Sequence, residues 1–288
     1  MADTLPPTVT PTDSAARIAA HYALLAQSAR QAGLLPDIDI DIRTVAETGS
    51  TNVDLMTALP GLLQPTLLLA HSQTAGRGRA GRVWHAESGA ALTFSLAWRL
   101  ALPLSALAGL PLAVGVALVD ALADTLALQG VHARLKWPND ILLDGAKLGG
   151  VLIETASVKS AVGQIWAVIG VGLNLTLSDA QTLRIGRAAT GAASLQSMER
   201  EALMAAILHS LVLNLRQFEA EGFAGFAARW NHLHAYAGQA VDIIDNGKTL
   251  YSGLAQGVDS AGRLLLNTAQ GQIAVIAGDV SLRLQEAS

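Results

Sequence analysis

Cysteine is absent from the 288-residue chain, which excludes a disulfide-stapled scaffold, a thiolate metal site and a cysteine nucleophile together. Charge is also scarce, at 15% of residues against roughly a quarter in ordinary soluble domains, and aromatic residues make up only 4%. The net charge of −4 offers no global attraction to nucleic acid or acidic lipid. Residues 1–12 contain neither a basic run nor an apolar stretch, so no signal peptide is expected. What is abundant is aliphatic: hydrophobic residues reach 51%, the opposite of a disordered composition. The length suits one large domain or two modest ones with a sizeable core.

One segment tests a soluble reading. Leu100 to Val119 carries no charge, and ~20 apolar residues can span a bilayer. Pro103, Ser105 and Pro111 interrupt it, however, and Asp120 and Asp124 follow at helical spacing. The expectation is a buried loop, then an amphipathic helix over 111–129 with Pro111 as its first residue. No membrane insertion is expected, and the chain reads as cytoplasmic.

The rest of the chain alternates strands and helices. Residues 1–13 read as disordered, and Asp13 or Ser14 should cap a helix that Gly33 ends near Ala32. Strands are expected at Ile38–Ile42, Thr66–Ala70, Ala91–Leu100, Val131–Lys136 and Ile165–Leu175. A hairpin should turn at Asp144–Gly145 between Ile141–Leu143 and Lys147–Glu154. The polar run Glu47–Asn52 should open a short helix. Residues 176–197 read as a polar loop ahead of a helix with Leu203, Ile207, Leu211, Leu215 and Phe218 on one face. Neither Asp37 nor its neighbours offer a basic DNA-reading helix. Beyond Gly238 the texture changes to short strands with turns at Asn246–Gly247, Ser260–Gly262 and Gln270–Gly271, which fits a small β-module of about fifty residues.

The sharpest chemical signal is Gly76-Arg77-Gly78-Arg79-Ala80-Gly81-Arg82. Glycines admit a ligand close to backbone N–H groups, and arginines present bidentate forks to phosphate or carboxylate. A solvated flexible loop is the plain alternative. The spacing also satisfies G-x-G-x-x-G, but no helix opens directly after it, as a dinucleotide site would require. Kinase and Walker A motifs are absent. The second signal is Lys136-Trp137-Pro138-Asn139-Asp140 followed by Lys147-Leu148-Gly149-Gly150, which sets a lysine beside two glycines, able to meet an anion. An ordinary hairpin with a solvated lysine is the alternative there. Ser50, Thr51, Asn52 and Gln73 supply neutral donors and acceptors for an uncharged polar head, or else cap helices and turns. His71 and His85 read as structural.

In this order, Glu47–Asn52, Gln73–Trp84, Lys136–Ile141, Lys147–Glu154 and Gly170–Asn174 make the chain resemble the bacterial biotin–protein ligases over residues 38 to 285. The resemblance implies an α+β fold: a mixed β-sheet with flanking helices, related to class II aminoacyl-tRNA synthetases, and a C-terminal SH3-like β-barrel. It divides the chain into a tail and helix (1–37), a catalytic domain (38–236) and the barrel (237–288). It implies that biotin and ATP with Mg²⁺ give biotinyl-5′-AMP, and that biotin then passes to a lysine of the biotin carboxyl carrier protein of acetyl-CoA carboxylase.

Carried over by position, Ser50, Thr51, Asn52 and Gln73 hold the biotin head, and Arg77, Gly78 and Arg79 close over its chain. Lys147 and Arg79 serve catalysis at the carboxylate and α-phosphate. Trp84, Arg82, Asn139, Asp140 and Asn174 join Arg79 and Lys147 on the nucleotide side, and no side chain is assigned to metal. The Arg/Gly loop is expected to be mobile until an anion closes it. A homodimer is possible. Some relatives also repress transcription through an N-terminal winged helix, but fewer than fifty residues precede Ser50, so no DNA partner is expected. A lipoate–protein ligase and a non-catalytic ligand-binding regulator are the competing readings.

Overall fold

Thr10 and Pro11 start the first helix. In the computed structural model, which describes residues 10–33, 38–85, 87–128, 130–157, 164–176, 190–192, 195, 198–245, 247–278 and 280–285, α1 spans Pro11–Gln31. The Thr10 hydroxyl accepts from the Asp13 amide at 3.3 Å, and proline at the first turn forfeits only an amide that lacks an intrahelical partner. The helix thus starts earlier than the expected Asp13 or Ser14 cap. Ser14 is instead buried, donating to Glu201 Oε1 at 2.8 Å. Its neighbours on one face, Ile18, Tyr22, Ala26 and Ala29, are buried against α4 (Arg200–Glu221). The disorder expected over residues 1–13 does not hold at 11–13, which are helical; residues 1–9, Asp37, Asn246 and most of the 176–197 loop lie outside the described residues.

Seven strands form the main sheet in the order β1-β2-β3-β7-β6-β5-β4: β1 Asp41–Thr48, β2 Thr66–Gln73, β3 Ala91–Leu100, β4 Ala133–Lys136, β5 Asp140–Leu143, β6 Ala146–Ser157 and β7 Ile165–Asn174. Only β1 and β2 run parallel. The strand expected from Ile38 begins at Asp41, where the ladder opens with the Asp41 amide donating to Pro65 O. Ile38 and Ile40 still pack on the core. The β5–β6 turn has φ of 49° at Asp144 and 79° at Gly145, the left-handed pair that a two-residue hairpin turn needs.

Successive strand residues point to opposite faces, and here both faces are covered. Leu67, Leu69, Leu96 and Trp98 join the large core shared with α4 and α3 (Leu110–Ala127). Leu68, Ala97, Trp166 and Val168 face the other way, onto Leu55 and Leu59 from α2 (Thr51–Ala58) and the turn after it. Leu104–Ala127 is long and apolar enough to cross a membrane, but its most apolar stretch is 67% buried inside this fold, and its oiliness is accounted for by packing.

A short helix that the sequence reading did not anticipate, α5 (Ala227–Leu233), leads to the C-terminal strands. These are β8 Ala240–Asp245, β9 Lys248–Val258, β10 Leu264–Thr268, β11 Gly271–Val275 and β12 Ser281–Leu284, an antiparallel sheet in the order β11-β10-β9-β8-β12. The module expected as an SH3-like barrel is a five-stranded antiparallel sheet, with β11 and β12 at the ends of its hydrogen-bonded ladder among the described residues. It is pinned to the rest by Trp137 Nε1 donating to Gly262 O at 3.2 Å and by Asn231, whose amide bridges both backbone groups of Val258.

Candidate active site

A cavity of about 360 Å³ opens between the α2 face of the main sheet and the C-terminal sheet. One wall is the Arg/Gly segment. It is a small hairpin: Gly78 N donates to Arg82 O at 2.7 Å and Trp84 N to Gly76 O at 2.9 Å. Its tip, Ala80–Gly81, takes φ of 52° and 69°, again the left-handed pair of a tight hairpin turn. Gly76 in this segment and Gly172 on β7 are steric requirements. A Cβ on Gly76 would lie 2.6 Å from Trp84 O, and one on Gly172 would lie 2.4 Å from Trp84 Cε2, so the Trp84 ring rests on the bare backbone of β7.

The polar end of the cavity is an internally bonded network at the start of α2. The Thr51 amide donates to Gln73 Oε1 at 2.8 Å, and Thr51 Oγ1 lies 2.7 Å from Ser95 Oγ. Ser95 donates to Asn52 Oδ1 at 2.6 Å, and Asn52 Nδ2 donates to Glu154 Oε2 at 2.9 Å. Glu154 also lies 3.4 Å from Arg77 Nη1. Ser50 is buried at the N-cap of α2 without making a capping bond, and it too lines the cavity.

The opposite end gathers cations. Lys147 forms an ion pair with Asp140, and Lys136 Nζ stands 4.0 Å from the same carboxylate. Lys147 Nζ also lies 5.9 Å from the centre of the Trp84 ring. Tyr236, with Lys136 Nζ 5.8 Å from its ring centre, has its phenol pushed up by burial and then by the negative charge of Asp140. Arg79 reaches across the mouth, donating to Asn139 Oδ1 at 3.0 Å and to the backbone carbonyl of Gly278. An arrangement of this kind can hold a neutral polar head at one end and bring two anions together at the other.

Ser50, Thr51, Asn52, Gln73, Arg77, Gly78, Arg79, Arg82, Trp84, Asn139, Asp140 and Lys147 all line this cavity; Asn174, expected on the nucleotide side, does not. It is buried and directs its amide at Lys147 O, 3.5 Å away, so it stands behind the lysine rather than facing the cavity. Asn139 is similarly occupied, with Nδ2 donating to Val151 O at 2.8 Å while its oxygen holds Arg79. His71 and His85 lie outside the lining; burial, then the Arg200 charge, pulls the His71 imidazole down. Lys136, the first residue of the Lys-Trp-Pro-Asn-Asp motif, lines the cavity as well, and so does Tyr236, which like Ser95 was not singled out from the sequence. Neither Ser95 nor Tyr236 stands in a motif that could have marked it. Among the described residues no three His, Asp or Glu side chains converge as a metal cage.

Residues 46–174 match the Biotin/lipoate A/B protein ligase family, and residues 236–283 match the Biotin protein ligase C terminal domain. A Biotin--[acetyl-CoA-carboxylase] ligase of Mycobacterium tuberculosis is 34% identical over 246 residues, covering 82% of this chain and 86% of that protein. The Bifunctional ligase/repressor BirA of Escherichia coli is 33% identical over 241 residues, covering 82% and 72%. Among solved structures, the biotin protein ligase from Aquifex aeolicus in complex with biotin and ATP superposes with a TM-score of 0.69 at 26% identity, covering 85% of this chain and 99% of that one.

Proposed function

The chain belongs to the biotin protein ligase family, and from that premise we propose that it activates biotin with ATP and transfers it to a lysine of the biotin carboxyl carrier protein of acetyl-CoA carboxylase. In the first step a biotin carboxylate oxygen attacks the α-phosphorus, the bond to the β-phosphate oxygen breaks, and pyrophosphate leaves. In the second the carrier amine attacks the acyl carbon of biotinyl-5′-AMP, a proton is lost, and AMP departs.

The observation that carries this reading is one cavity with a neutral hydrogen-bonding network at one end and Lys147, Lys136 and Arg79 at the other. Biotin's ureido head suits the network around Ser50, Thr51 and Gln73, with Asn52 holding Thr51's neighbour Ser95 in place. Its chain runs beneath Arg77 and Gly78. Lys147 and Arg79 meet the carboxylate and α-phosphate, neutralising charge as two anions converge, which is where such a step gains most of its rate. Asp140 and Asn139 hold those two cations in position. Trp84 flanks the adenylate, Arg82 lies toward the phosphates, and Asn174 supports Lys147 from behind.

Mg²⁺ enters as the partner of ATP. With no acidic cage among the described residues, the phosphates and water would supply most of its ligands, as is usual for this cation. We further assign residues 1–37 as a leading segment, 38–236 as the catalytic domain and 237–288 as the C-terminal module, acting in the cytoplasm without DNA. A homodimer along a free edge of the main sheet, β1 or β4, is compatible with this reading. ATP–pyrophosphate exchange tests the whole: it should require biotin. Equal exchange with lipoate would favour the lipoate ligases that share the family model, and none with either would leave a binding protein.

A further inference from the structure

We propose that Glu154 and Ser95, which do not line the cavity, set the hydrogen-bond polarity of the polar-head site, so that Thr51 presents an acceptor there and selects a ligand N–H. The proposal rests on the biotin-ligase reading for the identity of that ligand.

The polarity follows from proton counting along the chain of contacts. The Glu154 carboxylate, paired with Arg77 at 3.4 Å, has only lone pairs to offer. Asn52 must therefore turn its NH₂ group toward it, at 2.9 Å, and a second contact at 3.4 Å to the Leu152 carbonyl demands the same orientation. That leaves Asn52 Oδ1 facing Ser95, which spends its one proton on it at 2.6 Å. The Ser95 oxygen, its proton spent, then faces Thr51 Oγ1 as an acceptor at 2.7 Å, and Gln73 Oε1, 3.1 Å from the same hydroxyl, is a second and longer acceptor for that one proton. Thr51, having given up its proton, faces a ligand with lone pairs alone. Gln73 is oriented in the same way, since its Oε1 accepts the Thr51 amide at 2.8 Å.

The relay is well shielded. Ser95 is fully buried, and Thr51 and Asn52 are each 3% exposed, so water cannot supply a missing proton and the orientation propagates. Gly170 is part of the device, because a Cβ there would come within 2.2 Å of Asn52 Oδ1. Glu154 holds Arg77 as well, which ties the polarity of the head site to the loop above it. A cyclic urea offers two N–H donors and fits such a site. A ligand with an oxygen in the same position meets lone pair against lone pair and is rejected.

The test uses the full chain in biotin-dependent pyrophosphate exchange, with biotin and the two isomeric cyclic carbamates in which one ureido N–H is replaced by oxygen. The wild-type protein should disfavour at least one carbamate by a hundredfold or more in kcat/KM. In Ser95→Ala the Thr51 hydroxyl loses its 2.7 Å partner and keeps only the longer contact to Gln73 Oε1 at 3.1 Å, so a ligand oxygen can compete for its proton and that ratio should shrink at least tenfold. Glu154→Leu should raise the biotin KM thirtyfold or more with the ATP KM within twofold, whereas Glu154→Gln, which keeps an acceptor for Asn52, should recover most of that loss. Unchanged discrimination in Ser95→Ala, or no discrimination in the wild type, overturns the proposal. Should Glu154→Leu fail to fold, the Ser95→Ala ratio decides alone. If the wild type shows no biotin-dependent exchange, it is the underlying reading that has failed.

Discussion

Lys147→Met separates a catalytic role from a structural one. The Lys147 and Asp140 side chains are each 12% exposed and paired, so removing the ammonium takes the nearer cation from a largely buried carboxylate. Breaking a buried pair typically costs about 3–5 kcal/mol. Lys136 Nζ, 4.0 Å from the same carboxylate, remains to offset part of it, which brings the expected loss down to about 2 kcal/mol. For a chain of this size that lowers Tm by roughly 4–8 °C. Adenylation should fall further than that, on the order of 10²–10³-fold, because the lost cation acts where charge gathers on the phosphoryl oxygens. Transfer from pre-made biotinyl-5′-AMP should suffer less, since phosphate charge is then departing. The control is Lys147→Met with Asp140→Asn: a neutral amide needs no cation, so Tm should recover while exchange stays low. Near wild-type exchange in the single variant, or exchange restored together with Tm in the double, would refute the assignment and move the phosphate-side role to Lys136 or Arg79.

Gly172→Ala places a Cβ 2.4 Å from Trp84 Cε2, so the ring must leave its seat; overpacking of this kind costs about 1–3 kcal/mol. We expect the KM for ATP to rise about tenfold while that for biotin changes little, and an unchanged ATP KM would remove Trp84 from the nucleotide side. His234 contributes to acid sensitivity, together with His71 and His209, which burial also pulls down. His234 is 5% exposed, its ring tilted 35° against Trp230 at 4.8 Å between centres, and burial holds it down at about 4. Between that value and its ordinary 6.5 the unfolded chain binds the proton and the folded one does not. Stability is therefore full above the window and falls as pH drops through it, by about 3 kcal/mol in all. Urea unfolding at pH 7 and pH 4.5 should show a loss about 2–3 kcal/mol smaller in His234→Phe than in the wild type, and equal losses would contradict the account.

Much of the molecule is legible from local pattern. The largely apolar run Ala91–Leu100 is strand β3, Asp144–Gly145 turns the hairpin, Pro111 stands in the first turn of α3, and the Arg/Gly and Lys-Trp-Pro-Asn-Asp segments line the cavity. Each depends on a side-chain period, a left-handed turn or a close backbone approach, and those requirements act over a few residues. Tertiary structure decided the rest. Ser95 and Glu154 meet Asn52 across 43 and 102 residues of chain, through the register of strands that no local period specifies. Asn139 and Asn174 look like ligand-binding polar residues in sequence. In the fold one holds Arg79 and the other backs Lys147, because a buried amide takes whatever partners packing brings within reach. The same holds for Arg79, whose bond to Gly278 spans the two sheets. Sequence therefore determined which residues were available for chemistry, and packing determined which of them face a ligand and which orient those that do.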